Sequence, residues 1–234
     1  MCHKDSVSYF GQIPQYREFT EEVDGILFEN GDARSRVAIL PDIYGLTDFY
    51  KGFAGYVANL GTQVYLTNPW KPFGELSEPT REAAYQRRHK LKDREHCDQL
   101  EAFLASKEID TVIGFCIGGN FAFELARRGY AGTNIAIYPL PWGMANQDEI
   151  LPAFDYMPSL TQEMTIVIGA SDHLAGPENI TRLEGIVENN EHLTLHLYKG
   201  SDHGFFKDID GPDQALKSNA KDAVAKVTRI LLED

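Results

Sequence analysis

The chain has 234 residues, of which 43% are hydrophobic and 24% charged, a composition typical of a soluble globular protein with a substantial core. Its 22 Lys and Arg residues against 35 Asp and Glu give a formal net charge of −13, which disfavours nucleic acids and anionic membranes as partners. No run approaches the roughly 18 apolar residues of a membrane span, and the N-terminus lacks the apolar core of a signal peptide. Cys2, Cys97 and Cys116 are too few for a disulfide framework, so we expect a reducing, cytoplasmic location.

Hydrophobic periodicity and turn residues predict strands that alternate with helices. The predicted strands are 16–22, 26–29, 37–40, 63–66, a run ending at Ile113, 134–138, 165–169 and 193–198. The predicted helices are 49–60, 81–105, 121–126, 178–187 and 215–232. Asp24-Gly25 predicts the hairpin turn between the first two strands. The alternation indicates an α/β protein with a mostly parallel central sheet and helices on both faces, in a single domain over 1–234.

The segment Gly114-Phe115-Cys116-Ile117-Gly118 links a short β-branched strand to an apolar helical segment. Its two glycines permit a tight strand-to-helix turn, at whose tip Cys116 is forced into strained φ/ψ angles. The start of the following helix offers unpaired backbone N–H groups and a positive dipole end, which favour a thiolate. The pattern resembles the nucleophile elbow of the α/β-hydrolase fold, with cysteine where serine is usual.

An acid and a histidine follow the elbow in the chain. Asp172 lies just past one predicted strand, and His203 lies in the loop after the next strand. Ligand and catalytic sites of parallel α/β sheets lie at those strand ends. The order nucleophile, acid, base is that of the α/β-hydrolases. The sequence therefore predicts a triad of Cys116, Asp172 and His203.

Three segments match one family signature: V-I-G-F-C-I-G-G at 112–119, G-A-S-D-H at 169–173 with Pro177 shortly after it, and S-D-H-G-F at 201–205. Together they resemble the dienelactone hydrolase family, or carboxymethylenebutenolidases, from about Gly25 to the last helix. The resemblance implies that Cys116 is the nucleophile, His203 the general base and acid, and Asp172 the residue that orients His203. The implied reaction is hydrolysis of a lactone or ester through an acyl-enzyme. We expect no cofactor and no metal.

The same resemblance extends to residues around the reacting carbonyl. It implies an oxyanion hole formed by the backbone N–H groups of Ile117 and Ile43, assisted by the hydroxyl of Tyr85. It also implies that Asp42, in P-D-I-Y-G, is the acidic residue that keeps the resting thiol protonated until substrate displaces it. Better-known members have glutamate there, which is one methylene longer.

Two cations complete the implied site. Arg81, in R-E-A-A-Y, matches the arginine that holds a substrate carboxylate, and its i, i+4 spacing places it on the same helix face as Tyr85. Lys207 stands where the family commonly has a second arginine, and its point charge should select carboxylates less strictly than a guanidinium fork. We therefore expect a small lactone or ester with a carboxylate near the scissile bond.

Two loops rich in proline, glycine and aromatic residues, 68–79 and 139–155, are expected to carry the walls of an apolar pocket mouth. The aromatic residues of these loops and of the position after them are Trp70, Phe73, Trp142, Phe154 and Tyr156.

Other polar residues admit weaker interpretations. A possible metal-ligand face in helix 81–105 is formed by His89, Asp93, His96 and Cys97, but the surrounding charges favour a solvated helix. His173, next to Asp172, is a rival base outside the S-D-H-G context. A glutaminase-type amidotransferase would need an acid two residues after its histidine, and that position is Phe205. The remaining alternative is a small-molecule binding or signalling protein on the same fold. We expect a monomer or weak homo-oligomer.

Overall fold

In the computed structural model, which describes residues 7–233, eight strands form one mixed sheet. The strands are β1 (Arg17–Thr20), β2 (Asp24–Phe28), β3 (Ser35–Leu40), β4 (Thr62–Thr67), β5 (Thr111–Phe115), β6 (Thr133–Ile137), β7 (Met164–Gly169) and β8 (Leu193–Tyr198). Their spatial order is β1-β2-β4-β3-β5-β6-β7-β8. The pairs β1–β2 and β2–β4 are antiparallel, and all other neighbours are parallel. The predicted mostly parallel sheet is confirmed.

Six α-helices connect or follow these strands within the described residues: α1 (Asp48–Ala58), α2 (Arg81–Arg88), α3 (Asp93–Ser106), α4 (Ile117–Arg127), α5 (Gly176–Val187) and α6 (Gln214–Glu233). Every residue of β5 is buried. Because successive strand side chains point to opposite faces, this pattern requires both faces of the sheet to be covered. The predicted α/β architecture is therefore confirmed. No helix in the described part of the chain is both long and apolar enough to cross a membrane.

The hairpin at the start of the sheet differs from the sequence prediction. Asp24 and Gly25 do not form its turn, since they pair with Thr20 and Phe19 inside β2. The chain reverses over 21–23 instead. A Cβ on Gly25 would lie 2.4 Å from the Leu66 carbonyl oxygen and 2.6 Å from the Phe19 ring. The glycine thus permits a close approach between neighbouring strands and is not there to turn the chain.

The predicted helix 81–105 is two helices, separated by a break at 89–92. The break has an electrostatic and a packing reason. Basic residues end α2 and acidic residues begin α3, each favourable for its helix dipole. The turn also buries Leu91 and brings Arg88 Nη2 to 2.7 Å from Asp93 Oδ2, with both side chains buried. A continuous helix would carry these two residues apart along its axis.

An aromatic cluster supports the end of β5. Phe115 packs edge-to-face against Tyr50, Phe53 and Phe206, with ring centroids 5.2, 5.3 and 5.8 Å away. Such pairs contribute about 0.5–1.5 kcal/mol each beyond their buried area. The residue that follows Phe115 is therefore held on a rigid base, and that residue is Cys116.

Candidate active site

Cys116 occupies the turn between β5 and α4 with φ 55° and ψ −116°. This left-handed backbone is costly for a residue with a side chain, by about 1–3 kcal/mol. The turn is compact: a Cβ on Gly114 would lie 2.1 Å from the Gly118 carbonyl oxygen, and a Cβ on Gly118 would lie 2.2 Å from the Leu40 carbonyl oxygen. Only glycine fits at either position. Cys116 is 2% exposed and lies at the N-terminus of α4.

Asp172 and His203 lie together at the same sheet edge. Asp172 follows β7 and His203 follows β8, and these parallel neighbours both end there. His203 Nδ1 is 2.8 Å from Asp172 Oδ2, and both side chains are buried. The other carboxylate oxygen, Oδ1, accepts the backbone N–H groups of Leu174 and Ala175 at 2.9 and 3.2 Å. The carboxylate is thus fixed from the backbone and in turn orients the imidazole.

Tyr138 links the imidazole to the elbow. Its ring packs edge-to-face on His203 at 5.1 Å. It directly follows Ile137, whose carbonyl accepts the Cys116 N–H at 3.0 Å. Tyr138 itself has φ 36°, a second strained residue next to Cys116. Sequence reasoning did not single out Tyr138, because its conformation follows from tertiary contacts.

Asp202 ties the two loops of the acid and the base together. Its Oδ1 accepts the N–H of His203 at 2.7 Å and that of His173 at 2.9 Å, and it lies 2.7 Å from His173 Nδ1. Burial works to raise the pKa of Asp202, but hydrogen bonds from His173 and His203 outweigh it and lower the pKa to about 2. His173, the rival base, is exposed and faces Asp202. Asp172, His173 and Asp202 offer three ligand atoms within 4.8 Å of one another, yet the bonds just described already engage these groups.

The loop after β3 carries Asp42 and Ile43. Leu40 pairs with Gly114 across β3 and β5, so this loop lies beside the elbow. Asp42 is fully buried, and its Oδ1 accepts the Tyr44 N–H at 2.8 Å. The role of its carboxylate toward the thiol stays a prediction. Ile117 N–H belongs to the first turn of α4, where backbone donors have no intrahelical acceptor.

Two side chains that sequence reasoning did not place here hold this loop from behind. Trp70 Nε1 donates to the Asp42 carbonyl at 2.9 Å. Arg87 Nη2 donates to the carbonyls of Ile43 and Tyr44 at 2.9 and 3.2 Å. Trp70, Tyr44 and Arg87 line a cavity of about 390 Å³ whose lining includes none of the predicted triad residues. The role of Trp70 as a wall of the substrate pocket therefore stays a prediction. No sequence signal identifies its indole as a ligand of a backbone carbonyl.

Arg81 and Tyr85 share one face of α2. Arg81 Nη2 donates to the Tyr85 hydroxyl at 3.2 Å, and the guanidinium lies 5.3 Å from the ring centroid. Arg81 is exposed and Tyr85 half-buried. Lys207, in the 3-10 helix Phe205–Asp210, is also exposed, with its Nζ 3.3 Å from Asp208 Oδ1. The predicted carboxylate clamp of Arg81 and Lys207 stays a prediction.

The four residues of 81–105 considered as metal ligands, and set aside in favour of a solvated helix, lie in separate environments. His89 is exposed, whereas Asp93 binds Arg88 in the interior. Burial, with Arg88 nearby, lowers the pKa of His96 to about 4, and its ring packs on Phe121. Burial raises the pKa of the Cys97 thiol well above its usual range. The interpretation of this segment as a solvated helix is therefore wrong, because its acid, imidazole and thiol support the core.

One predicted pocket-mouth residue lies elsewhere. The Tyr156 ring is 5.7 Å from the guanidinium of Arg127, which ends α4. Eleven helical residues separate Cys116 from that end, a distance of about 16 Å at 1.5 Å per residue. Tyr156 therefore lies near the opposite edge of the sheet, and its assignment to the pocket mouth is wrong.

Comparisons with known proteins identify the family of the chain. A model of the dienelactone hydrolase family matches residues 23–233. Carboxymethylenebutenolidase 2 of Cupriavidus pinatubonensis is 38% identical over 233 residues, which cover 99% of each chain. A carboxymethylenebutenolidase of Rhodococcus opacus is 26% identical over 80% of this chain and 76% of its own. A crystal structure from Klebsiella pneumoniae, provisionally classed as a dienelactone hydrolase, has a TM-score of 0.71 at 15% identity and covers 90% of this chain and 97% of its own. At that identity the structural likeness supports the fold alone.

Proposed function

The chain belongs to the dienelactone hydrolase family and is an ester or lactone hydrolase, and we propose that it acts through a covalent acyl intermediate on Cys116. One observation carries this proposal. The buried contact of 2.8 Å between Asp172 and His203 lies at the sheet edge where Cys116 occupies a strained turn. A nucleophile, a base and an orienting acid on three strand ends are what acyl transfer requires.

In the first half of the reaction, the imidazole of His203 takes the proton of the Cys116 thiol. The resulting thiolate attacks the carbonyl carbon, and the carbonyl electron pair moves to oxygen. The N–H groups of Ile117 and Ile43 would bind that oxyanion, and Tyr85 would assist from α2. When the oxyanion collapses, the C–O bond of the ester or lactone breaks. The protonated imidazole of His203 gives its proton to the leaving oxygen.

In the second half, the neutral imidazole of His203 takes a proton from water, and the hydroxide attacks the thioester carbonyl. The second oxyanion collapses with loss of the Cys116 thiolate, and the carboxylic acid product leaves. Asp172 stabilises the imidazolium in both halves through Nδ1. We also propose that Asp42 keeps the resting thiol protonated, so that water and electrophiles meet an unreactive site before substrate binds.

For the substrate, we propose a lactone or ester that carries a carboxylate. The name of the Cupriavidus relative describes a butenolide, which is an unsaturated lactone, with a carboxymethylene group. Arg81 and Lys207 are exposed cations on α2 and on the helix that follows His203, and they would hold this group. Because the protein has a net charge of −13, an anionic substrate needs such local cations to approach.

The test is hydrolysis of a dienelactone and of para-nitrophenyl butyrate by the wild type, Cys116→Ala and Arg81→Ala. We expect Cys116→Ala to lose turnover of both substrates. We expect Arg81→Ala to raise KM for the dienelactone by about 10-fold or more, the loss of one charge-assisted contact, with little change for the neutral ester. Arg94→Ala is the matched control, since Arg94 is an exposed arginine of α3 paired with Asp148.

Each assignment has its own contrary result. Undiminished turnover by Cys116→Ala would overturn the thiol mechanism. An unchanged KM for the dienelactone in Arg81→Ala would overturn the carboxylate clamp but leave the mechanism in place. Turnover of the neutral ester alone by the wild type would retain the mechanism and rule out the proposed substrate class.

A further inference from the structure

Three consecutive carbonyl groups of the loop after β3 are bound by buried side chains from outside the loop. The Asp42 carbonyl accepts the indole N–H of Trp70, which follows β4. The carbonyls of Ile43 and Tyr44 accept Nη2 of Arg87, which lies in α2. Trp70 is 1% and Arg87 7% exposed. The guanidinium of Arg87 lies 5.4 Å from the centroid of the Trp70 ring, so the two donors brace each other.

The contact of Trp70 has a direct consequence for the N–H of Ile43. The Asp42 carbonyl and the Ile43 N–H belong to the same peptide unit, which is planar and trans. In a trans peptide the C=O and N–H bonds point in opposite directions. A donor that fixes the carbonyl therefore fixes the N–H on the other side. The Asp42 carbonyl also receives the Gly45 N–H at 3.2 Å, but that bond is internal to the loop and moves with it.

We propose that Trp70, braced by Arg87, is a positioning residue for the oxyanion donor at Ile43. This inference rests on the proposed function, in which that N–H binds the oxyanion. Without the indole N–H, the buried Asp42 carbonyl loses its external donor. Only the Gly45 N–H, which belongs to the same loop, then opposes rotation of the peptide about the two bonds that flank it. A rotated peptide would turn the carbonyl oxygen toward the oxyanion, where it repels the developing charge instead of stabilising it.

A purely structural role for Trp70 predicts different results. Trp70 also fills space, since a Cβ on Gly45, which has φ +80°, would lie 2.6 Å from its Cδ1. Loss of packing would lower stability and disturb substrate binding and turnover together. Loss of positioning alone would leave substrate affinity unchanged, because the ground-state carbonyl makes little use of the oxyanion donors. The split between kcat and KM therefore separates the two roles.

The experiment compares Trp70→Phe with Tyr130→Phe, both with para-nitrophenyl butyrate. Tyr130→Phe is a matched control, since its hydroxyl donates at 2.9 Å to the backbone carbonyl of Ile109, which precedes β5 at the opposite edge of the sheet. For Trp70→Phe we expect kcat to fall by about 10–100-fold, somewhat less than the loss of a whole oxyanion donor, with KM changed by less than about 2-fold. Tyr130→Phe should retain the wild-type kcat and KM.

Butyraldehyde gives a second readout. The Cys116 thiol adds to the aldehyde carbonyl to form a thiohemiacetal, whose oxygen would occupy the oxyanion position. We expect its inhibition constant to rise by about 10-fold or more in Trp70→Phe and to stay unchanged in Tyr130→Phe. If Trp70→Phe does not fold, replacement of Trp70 by β-(3-benzothienyl)alanine keeps the bicyclic shape and removes only the N–H.

Cys116→Ala, assayed in parallel, separates the positioning role of Trp70 from the proposed thiol mechanism. If it is inactive while the Trp70 variants keep the wild-type kcat and aldehyde affinity, the positioning role is wrong and the thiol mechanism stands. If the Trp70 variants lose kcat and raise KM in equal measure, Trp70 is structural and the inference is also wrong. If Cys116→Ala retains turnover, the proposed function fails and the positioning role fails with it.

Discussion

Replacing Asp172 with asparagine is expected to reverse which nitrogen of the His203 ring carries the proton. Asp172 accepts two backbone N–H groups on Oδ1, those of Leu174 and Ala175, and faces His203 Nδ1 with Oδ2 at 2.8 Å. An asparagine has one oxygen and one NH₂ group for these two positions. The orientation that keeps the oxygen on the backbone donors places the NH₂ group against Nδ1.

The structure determines which orientation is preferred. The flipped amide would lose two accepted hydrogen bonds, each worth about 0.5–1.5 kcal/mol, and set donors against donors. If the two orientations of the amide differ by about 2 kcal/mol in free energy, the unflipped orientation is favoured by about 30-fold. His203 Nδ1 must then act as an acceptor, which leaves the proton on Nε2 and removes the lone pair that should take the thiol proton. We expect kcat/KM to fall by about 10²–10⁴-fold, the range for loss of a general base.

The assay is the pre-steady-state acylation rate and kcat/KM with para-nitrophenyl butyrate. Glu163→Gln is the control, because Glu163 Oε1 lies at the same distance of 2.8 Å from His192 Nδ1, in a solvent-exposed pair at the opposite sheet edge. It should retain wild-type kinetics. An Asp172→Asn chain that folds and keeps kcat/KM within about 3-fold of wild type would refute the tautomer argument.

Three further predictions concern the elbow and the core. Gly118→Ala would bring a Cβ to 2.2 Å from the Leu40 carbonyl oxygen, so we expect a loss of about 1–3 kcal/mol in the free energy of unfolding and a large loss of kcat. Burial lowers the pKa of His96 from 6.5 to about 4. As the pH falls, the imidazole is therefore protonated in the unfolded chain before it is protonated in the folded one. The contribution of His96 to the free energy of unfolding should be complete above pH 6.5 and fall by about 3 kcal/mol as the pH drops toward 4. Urea unfolding of the wild type and of His96→Gln measures it. Arg88→Met leaves the buried Asp93 carboxylate unpaired and should cost about 3–5 kcal/mol, most of which the double variant Arg88→Met, Asp93→Leu should recover.

Controls for these variants come from the same chain. Gly185, in the interior of α5, has no atom within 4 Å of an added Cβ, so Gly185→Ala should keep activity and gain about 0.5–1 kcal/mol. Full activity in Gly118→Ala would contradict the steric argument for the elbow. Equal pH slopes for the wild type and His96→Gln would show that His96 does not titrate with folding. A double variant as unstable as Arg88→Met would show that the loss comes from packing.

Much of the fold follows from short-range patterns. Strand 193–198 is predicted and observed with the same bounds, because its apolar residues and the turns on both sides are encoded within a few positions. The predicted hairpin turn at Asp24-Gly25 is wrong because the position of this dipeptide is decided by residues distant in the chain. That dipeptide is compatible with a turn, but Gly25 is required by the Phe19 ring and the Leu66 carbonyl, which belong to neighbouring strands and lie outside any local window.

The sequence by itself determined the elbow and the order of the predicted triad. Because residues 114 and 118 are glycines, the chain can make the tight turn at Cys116, which has no room for larger residues at those positions. Chain order then places an acid and a histidine after successive strands. Only the tertiary structure decided which groups hold these residues in place. Trp70 reaches the Asp42 carbonyl, Arg88 meets Asp93 across a break in a predicted helix, and Asp202 bridges two loops. Local steric constraints depend on adjacent residues and can be read from the sequence. These contacts instead join residues that are distant in the chain, and their side chains meet only once the sheet has assembled.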